Sequence, residues 1–228
     1  MIEQEKGDEI PMQIAIDGPA GSGKSTIAKI VAQRMGFTYI DTGAMYRGVT
    51  LYFLEKRIEP ENTRAIAEHL KNLKLDFINH RMHLDHRDIS KAIRSPEINR
   101  RVSDYARIPQ IREALQEQQR AIAGRKSVVM DGRDIGTFVL KDAEVKIYLS
   151  ASDHERARRR QKDLRDQGFD ASFEEILENL KERDAIDSSR SHSPLRQAED
   201  AIAIDTTSMT VSEVVEAITR IVEEVSHV

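Results

Sequence analysis

The run Asp17-Gly-Pro-Ala-Gly-Ser-Gly-Lys-Ser-Thr26 fits G-x-x-x-x-G-K-[ST], with Gly18, Gly23, Lys24 and Ser25 at the fixed positions. Its chemistry is phosphate binding. Glycines let the backbone curl until successive N–H groups converge on one phosphate group. A helix beginning there adds partial positive charge at its N-terminus. Lys24 can then reach β- and γ-phosphates, and the Ser25 hydroxyl can ligate Mg²⁺. A turn that needs glycine only for steric reasons is the plainer alternative. The complete motif, with an apolar run before it and a helical run after it, argues against that.

Four further groupings could serve the same chemistry. Asp131 follows the apolar run Ser127–Met130. At the carboxyl edge of an open α/β sheet it would lie beside the phosphate loop and hold Mg²⁺ directly or through water. A strand-end aspartate capping the next turn is the alternative. Within Asp131-Gly-Arg-Asp-Ile-Gly136, Arg133 can grip a phosphate bidentately and Asp134 can accept from an amino group. Asp41-Thr-Gly-Ala-Met-Tyr-Arg47 offers the Thr42 and Tyr46 hydroxyls, the Arg47 guanidinium, and a close approach at Gly43. Arg183, Asp187 and Arg190 share one helix face if the helix reaches that far. A surface ion pair, worth tenths of a kcal/mol, is the plain reading of that spacing. Arg156 and Arg159 share a face of a basic helix, Asp153–Arg165, and alone would be read as a solvated face. Transfer between two anions needs several cations around the migrating group, and that need favours a functional reading. His80, His83 and His86 sit close in sequence, but no cysteine or fourth histidine completes a metal set, so they read as solvated hairpin residues.

These groups need a frame to hold them at one edge. Short β-branched runs at Met12–Ile16, Phe37–Ile40, Ser127–Met130, Val145–Leu149 and Ala201–Ile204 read as strands covered on both faces. Helical patterns separate most of them, which predicts a parallel sheet with right-handed crossovers. A helix is expected from about Gly43 to Lys56, and a last one from about Thr210 to Val225, capped by Thr210 or Ser212. Leu75–Ile78 and Met82–Asp85 alternate around Asn79-His-Arg81, which is hairpin grammar. With Ile89 as the start of a third strand, this places an insert at about 61–105. The basic helix ends at Gly168, and a second, capped by Ser172 with Glu175, runs to about Ala185, a pairing that suits a closing lid within about 156–192. Residues 1–11 read as a flexible extension without the form of a signal peptide. The chain of 228 residues has no cysteine, no apolar run of spanning length and a net charge of −4. Disulfides and thiolate metal sites are thereby excluded, and the expected setting is cytoplasmic, without membrane or nucleic-acid partners.

Four motifs occur together in order: Gly18–Ser25, Asp41–Arg47, Asp131–Thr137 and Lys181-Glu-Arg-Asp-Ala-Ile-Asp187. From about residue 12 onward the chain resembles bacterial cytidylate kinase, a nucleoside monophosphate kinase family. The resemblance implies a phosphate-loop kinase core with a five-stranded parallel sheet flanked by helices. It also implies a small antiparallel β-containing insert that binds the monophosphate, and a helical lid. The core would comprise residues 12–60 and 106–228. MgATP would be the donor and CMP or dCMP the acceptor. By the same resemblance Gly18, Pro19, Ala20, Gly21, Ser22, Gly23, Lys24, Ser25 and Thr26 cradle ATP, with Arg156 and Arg159 from the lid side. Thr42, Tyr46 and Arg47 hold the acceptor's sugar and phosphate, and Arg133 grips that phosphate. Ser103, Arg112 and Asp134 read cytosine, and Arg183, Asp187 and Arg190 face the ribose and the transferring group. Cytosine presents an amino donor to Asp134, whereas uracil would set oxygen against oxygen. Lys24, Arg133, Arg159 and Arg183 are the expected catalytic cations, and Ser25 and Asp131 the expected metal ligands. The enzyme is expected to be a monomer.

Three rivals remain open at this stage. A kinase of UMP or of a non-nucleotide would ignore CMP. A guanine-reading switch needs an Asn-Lys-x-Asp signature, which is absent. A nucleic-acid module built on Arg156–Arg165 sits poorly with the acidic net charge and the absence of tryptophan.

Overall fold

The frame is a twisted layer of parallel strands with helices on both faces, described for residues 11–78, 81–166 and 168–226 of a computed structural model. Strand β1 (Gln13–Asp17) runs through the glycine loop into α1 (Lys24–Met35). Strand β2 (Thr38–Asp41) leads directly into α2 (Thr42–Glu55). An insert follows: α3 (Thr63–Leu70), strands β3 (Leu75–Ile78), β4 (Arg81–Leu84) and β5 (Arg87–Asp88), a 3-10 turn Ala92–Arg94, and α4 (Pro96–Ala106). The core resumes with α5 (Pro109–Ala123), β6 (Val128–Gly132), a π-helical turn Ile135–Val139 and β7 (Val145–Ser150). The chain continues with α6 (Asp153–Asp166), α7 (Phe173–Ser189), β8 (Ile202–Asp205) and α8 (Val211–Ser226).

The main sheet has the order β2-β6-β1-β7-β8, parallel at every pairing, and β3-β4-β5 form a separate antiparallel sheet. Side chains alternate across the central strands. Ile14, Ile16 and Val129 face α1 and α8, packing with Val31, Val215 and Ile218. Ala15, Val128 and Met130 face α2 and α5, packing with Val49, Phe53 and Ile111. Burial on both faces explains the near-continuous apolar runs and supplies about 1.5–3 kcal/mol for each large side chain enclosed.

Sequence and structure differ in places, each with a physical reason. Strand β8 is not covered on both faces. It pairs only with β7, and Ile202 is 46% exposed. Strand β6 extends two residues beyond the apolar run, so Asp131 lies inside the ladder opposite Ile16 and Asp41. Helix α7 runs on to Ser189, started by the Ser172–Glu175 capping box, and so includes Asp187. The insert carries two helices as well as the hairpin, and its third strand stops before Ile89, whose side chain is buried. Thr210, not Ser212, caps α8 through reciprocal bonds with Glu213. The first ten residues and His80 lie outside the described residues. His83 is half-buried with Nδ1 on the Arg81 carbonyl, and His86 is exposed. Among the described residues no helix is long and apolar enough to cross a membrane.

Candidate active site

The phosphate loop springs from the carboxyl end of β1. Gly18 has φ +148°, and a Cβ there would meet the Leu149 carbonyl oxygen at 2.0 Å, so no other residue fits. Lys24 Nζ donates to the Pro19 carbonyl at 2.6 Å and to Ser22 Oγ at 3.3 Å. Burial, then the neighbouring Arg133 charge, holds this ammonium well below the usual lysine range. Helix α6 packs against the loop through Arg156. Arg156 Nη1 donates to the Ala20 carbonyl at 2.8 Å and pairs with Asp184 at 2.5 Å, while Nη2 pairs with Asp153 at 2.6 Å. Asp184 accepts in turn from the Ala20 N–H at 3.3 Å. Arg159 donates to Glu155 and to the Thr206 hydroxyl and carbonyl, at 2.6–2.9 Å. Ala20, Ala157, Ile176 and Leu180 form a small apolar cluster under this contact.

Beside the loop, Ser25 Oγ donates to Asp131 Oδ2 at 2.7 Å, and Tyr39 Oη donates to Oδ1 at 3.0 Å. Thr42 Oγ1 donates to the Asp131 carbonyl at 2.6 Å. Burial, then the nearby Asp41 charge, pushes the Asp131 carboxyl up to about 6. Asp17, also buried, accepts from the Ile135 and Gly136 N–H groups at 2.9 and 2.8 Å, and burial pushes its carboxyl up to about 7. These two bonds tie the end of β1 to the turn that carries Asp134.

Opposite the loop the cations are less well matched. A cleft of about 1420 Å³ is lined by the loop from Ala20 to Thr26 and by Thr42, Tyr46, Arg47, Ser103, Arg112, Asp131, Arg133 and Asp134. Arg159, Arg183, Asp187 and Arg190 complete that wall. Arg133 Nε pairs with Asp187 at 2.9 Å, and Arg190 also pairs with Asp187. Arg47 pairs with Asp41 at 3.2 Å, the carboxylate that caps α2 through the Ala44 N–H. Among the described residues, Nε of Arg47, Arg112, Arg183 and Arg190 and the Tyr46 hydroxyl are buried without a partner. Burial, then Arg133, Arg47 and Arg160, pushes Arg183 down to about 9, still charged at neutral pH. Arg190 falls to about 10 through burial, then Arg112 and Arg133. Deeper, Arg112 Nη2 donates to Asp134 Oδ2 at 2.5 Å, and its guanidinium lies 5.2 Å from the Tyr46 ring centroid.

The expected residues therefore meet in one place, with one qualification. Gly18, Pro19 and Arg156 lie behind the cleft wall. Arg156 braces the loop backbone through the Ala20 carbonyl, and its burial at 4% exposure removes the alternative of a solvated side chain. Sequence reasoning misses four residues. Asp17 sits in the quoted motif but is given no role there. Tyr39 reads as core in an apolar run. Asp184 is hidden between Arg183 and Asp187. Gln116 stands four residues after Arg112, and that spacing on one helix face is the signal that could find it.

A sheet-edge glycine loop and a wall of arginines, several with a buried and unpaired Nε, face one cleft. That places the chain among the phosphate-loop phosphotransferases. It belongs to the cytidylate kinase family, whose model matches residues 14–224. A cytidylate kinase of Caldanaerobacter subterraneus subsp. tengcongensis is 51% identical over 209 residues, covering 92% of this chain and 93% of its own. One from Fusobacterium nucleatum subsp. nucleatum is 48% identical over 212 residues, covering 93% and 97%. An uncharacterized protein from Eubacterium ventriosum shares the fold alone, with TM-score 0.51 and 13% identity over 93% of this chain and 98% of that one.

Proposed function

We propose that the chain transfers the γ-phosphoryl group of MgATP to the phosphate of CMP or dCMP, giving ADP and CDP or dCDP, by direct in-line displacement. The observation that carries the reading is the shared cleft. The Arg112–Asp134 pair and Ser103 line the same space as Lys24 and Arg183. Asp134 accepts from the cytosine amino group, and Arg112 and Ser103 donate to the ring acceptors. Uracil would set an acceptor against Asp134, which disfavours a UMP kinase. Thr42, Tyr46, Arg47 and Arg133 take the acceptor's sugar and phosphate, and Asp187 and Arg190 its ribose side. The insert at 61–105 forms the monophosphate wall, and the lid within 156–192 closes over the donor.

Lys24 exchanges the Pro19 carbonyl for phosphate oxygens as ATP enters the loop. Ser25 and Asp131 fit Mg²⁺. They offer hard oxygen atoms 2.7 Å apart at the mouth of the loop, and this ion takes few protein ligands beside phosphates and water. When bound, the ion neutralises charge on the β- and γ-oxygens. The acceptor phosphate is already an anion, so no strong general base is required. Arg133, Arg159 and Arg183 meet the charge that spreads over the migrating group. Closure excludes water and suppresses hydrolysis of ATP. A net charge of −4 favours small nucleotides over nucleic acid as partners, and the working form is proposed to be a monomer. An assay of ADP release across CMP, dCMP, UMP, AMP and GMP tests the reading. CMP and dCMP should turn over fastest, and a rate with UMP matching CMP would contradict it.

A further inference from the structure

Gln116 lies on α5 outside the cleft wall, 5% exposed. Its Nε2 donates to Asp134 Oδ2 at 2.7 Å and to Ser193 Oγ at 2.9 Å. Arg112 Nη2 donates to the same Oδ2, and Arg112 Nη1 is engaged by the Ala106 carbonyl at 3.1 Å. Among the described residues, Asp134 Oδ1 has no side-chain donor and is not among the buried unpaired atoms. A carboxylate facing a guanidinium tends toward fork pairing, which would use both of its oxygens. Here two donors converge on one oxygen from behind, and the other is left for a ligand in the cleft. Ser193, 1% exposed and at φ +52°, belongs to the segment just beyond Arg190. Its hydroxyl thus connects the base-reading carboxylate to the stretch that follows lid helix α7.

The geometry points to Gln116 as a specificity-positioning residue. It holds Asp134 end-on so that Oδ1 meets the amino group of the base, and Ser193 fixes Gln116 in that pose. This rests on the reading of Asp134 as the acceptor for cytosine. The experiment measures initial rates of the full chain with MgATP against CMP and UMP. Gln116→Leu should raise the CMP KM about tenfold, the effect of losing one hydrogen bond to a charged group, and lower the CMP:UMP preference. The kcat and the ATP KM should stay within about twofold of wild type, as expected for lost acceptor binding.

Gln116→Glu supplies a pH signature. At low pH the introduced carboxyl is protonated and donates to Asp134 as the amide did, so the CMP KM stays near wild type. As pH rises the introduced carboxyl ionises and repels the Asp134 carboxylate, and the KM climbs. Arg112 from α5, Tyr46 from α2, Arg190 beyond α7, Arg133 beside Asp134 and Asp17 from β1 face this pair in both proteins, so wild type is the control. A merely structural role would not produce that rise. Unchanged CMP KM and preference in Gln116→Leu, or a Gln116→Glu profile parallel to wild type, overturns the inference. Should Gln116→Leu fail to fold, Ser193→Ala decides, with an expected rise of about threefold in CMP KM alone and no change as the contrary result. Wild type failing to use CMP sinks the proposed function. Wild type using CMP while the variants match it sinks this inference only.

Discussion

The two halves of the cleft handle their charges differently. On the donor side the protein answers its own cations. Lys24 rests on Pro19, and Arg156 has Ala20, Asp153 and Asp184, with only its Nε unpaired. On the acceptor side Arg183 sits among Arg133, Arg47 and Arg160, and among the described residues five buried polar atoms there (Tyr46 Oη and Nε of Arg47, Arg112, Arg183 and Arg190) lack partners. Like charges held together in a buried wall destabilise the resting fold, and an incoming anion relieves them. The donor half is thus assembled before substrate arrives, whereas the acceptor half is completed by it. Substitution of the bracing Arg156 on the first side should cost stability, and of Arg183 on the second, turnover.

The largest expected effect is Arg183→Leu, which removes the cation proposed to meet the migrating group. Steady-state rates should fall by about 10²–10³ in kcat with the ATP KM little changed. Near-normal turnover would remove Arg183 from catalysis. Next, Asp134→Asn keeps the shape and leaves its oxygen with Arg112 and Gln116, which turns an amide N–H toward the base. That group matches uracil, so the CMP:UMP ratio of kcat/KM should drop by about 10² or more, and a ratio at the wild-type value would break the account of base reading. Arg156→Ala sharpens the comparison from the donor side. Urea unfolding should register a loss of about 3 kcal/mol, the low end for a broken buried pair, because Asp153 and Asp184 keep contact with water. Stability equal to wild type would mean that Arg156 does not brace the loop. The smallest effect concerns Asp17. Its folded carboxyl titrates near 7, above the usual value of 3.8, so its contribution to stability is full below about pH 4 and is lost as pH rises to about 7. Asp17→Asn carries no such proton, and its stability curve should be flatter than wild type across that window.

Much of this is legible in the residues. The glycine loop, the acidic strand ends and the arginines declare themselves because phosphate chemistry restricts residue type as well as spacing. The βα alternation points to the parallel sheet because central strands are apolar on both faces. Strand β8 escapes the same rule, since four apolar or β-branched residues look alike whether an edge strand is covered or bare. Arg156 is legible only in part, for a related reason. A basic helix face looks solvated until Asp184, from another helix, is brought against it. Gln116 and Tyr39 act through carboxylates distant in sequence, Asp134 and Asp131, and only the fold pairs them.

Unfolding of Arg183→Leu in urea, without nucleotide, tests the central claim most directly. An apolar side chain that relieves a crowded, unpaired cation should leave the unfolding free energy unchanged or raised while turnover is lost. A loss of about 2 kcal/mol or more would mean that Arg183 supports the resting fold, and would contradict the account of an acceptor half completed by its substrate.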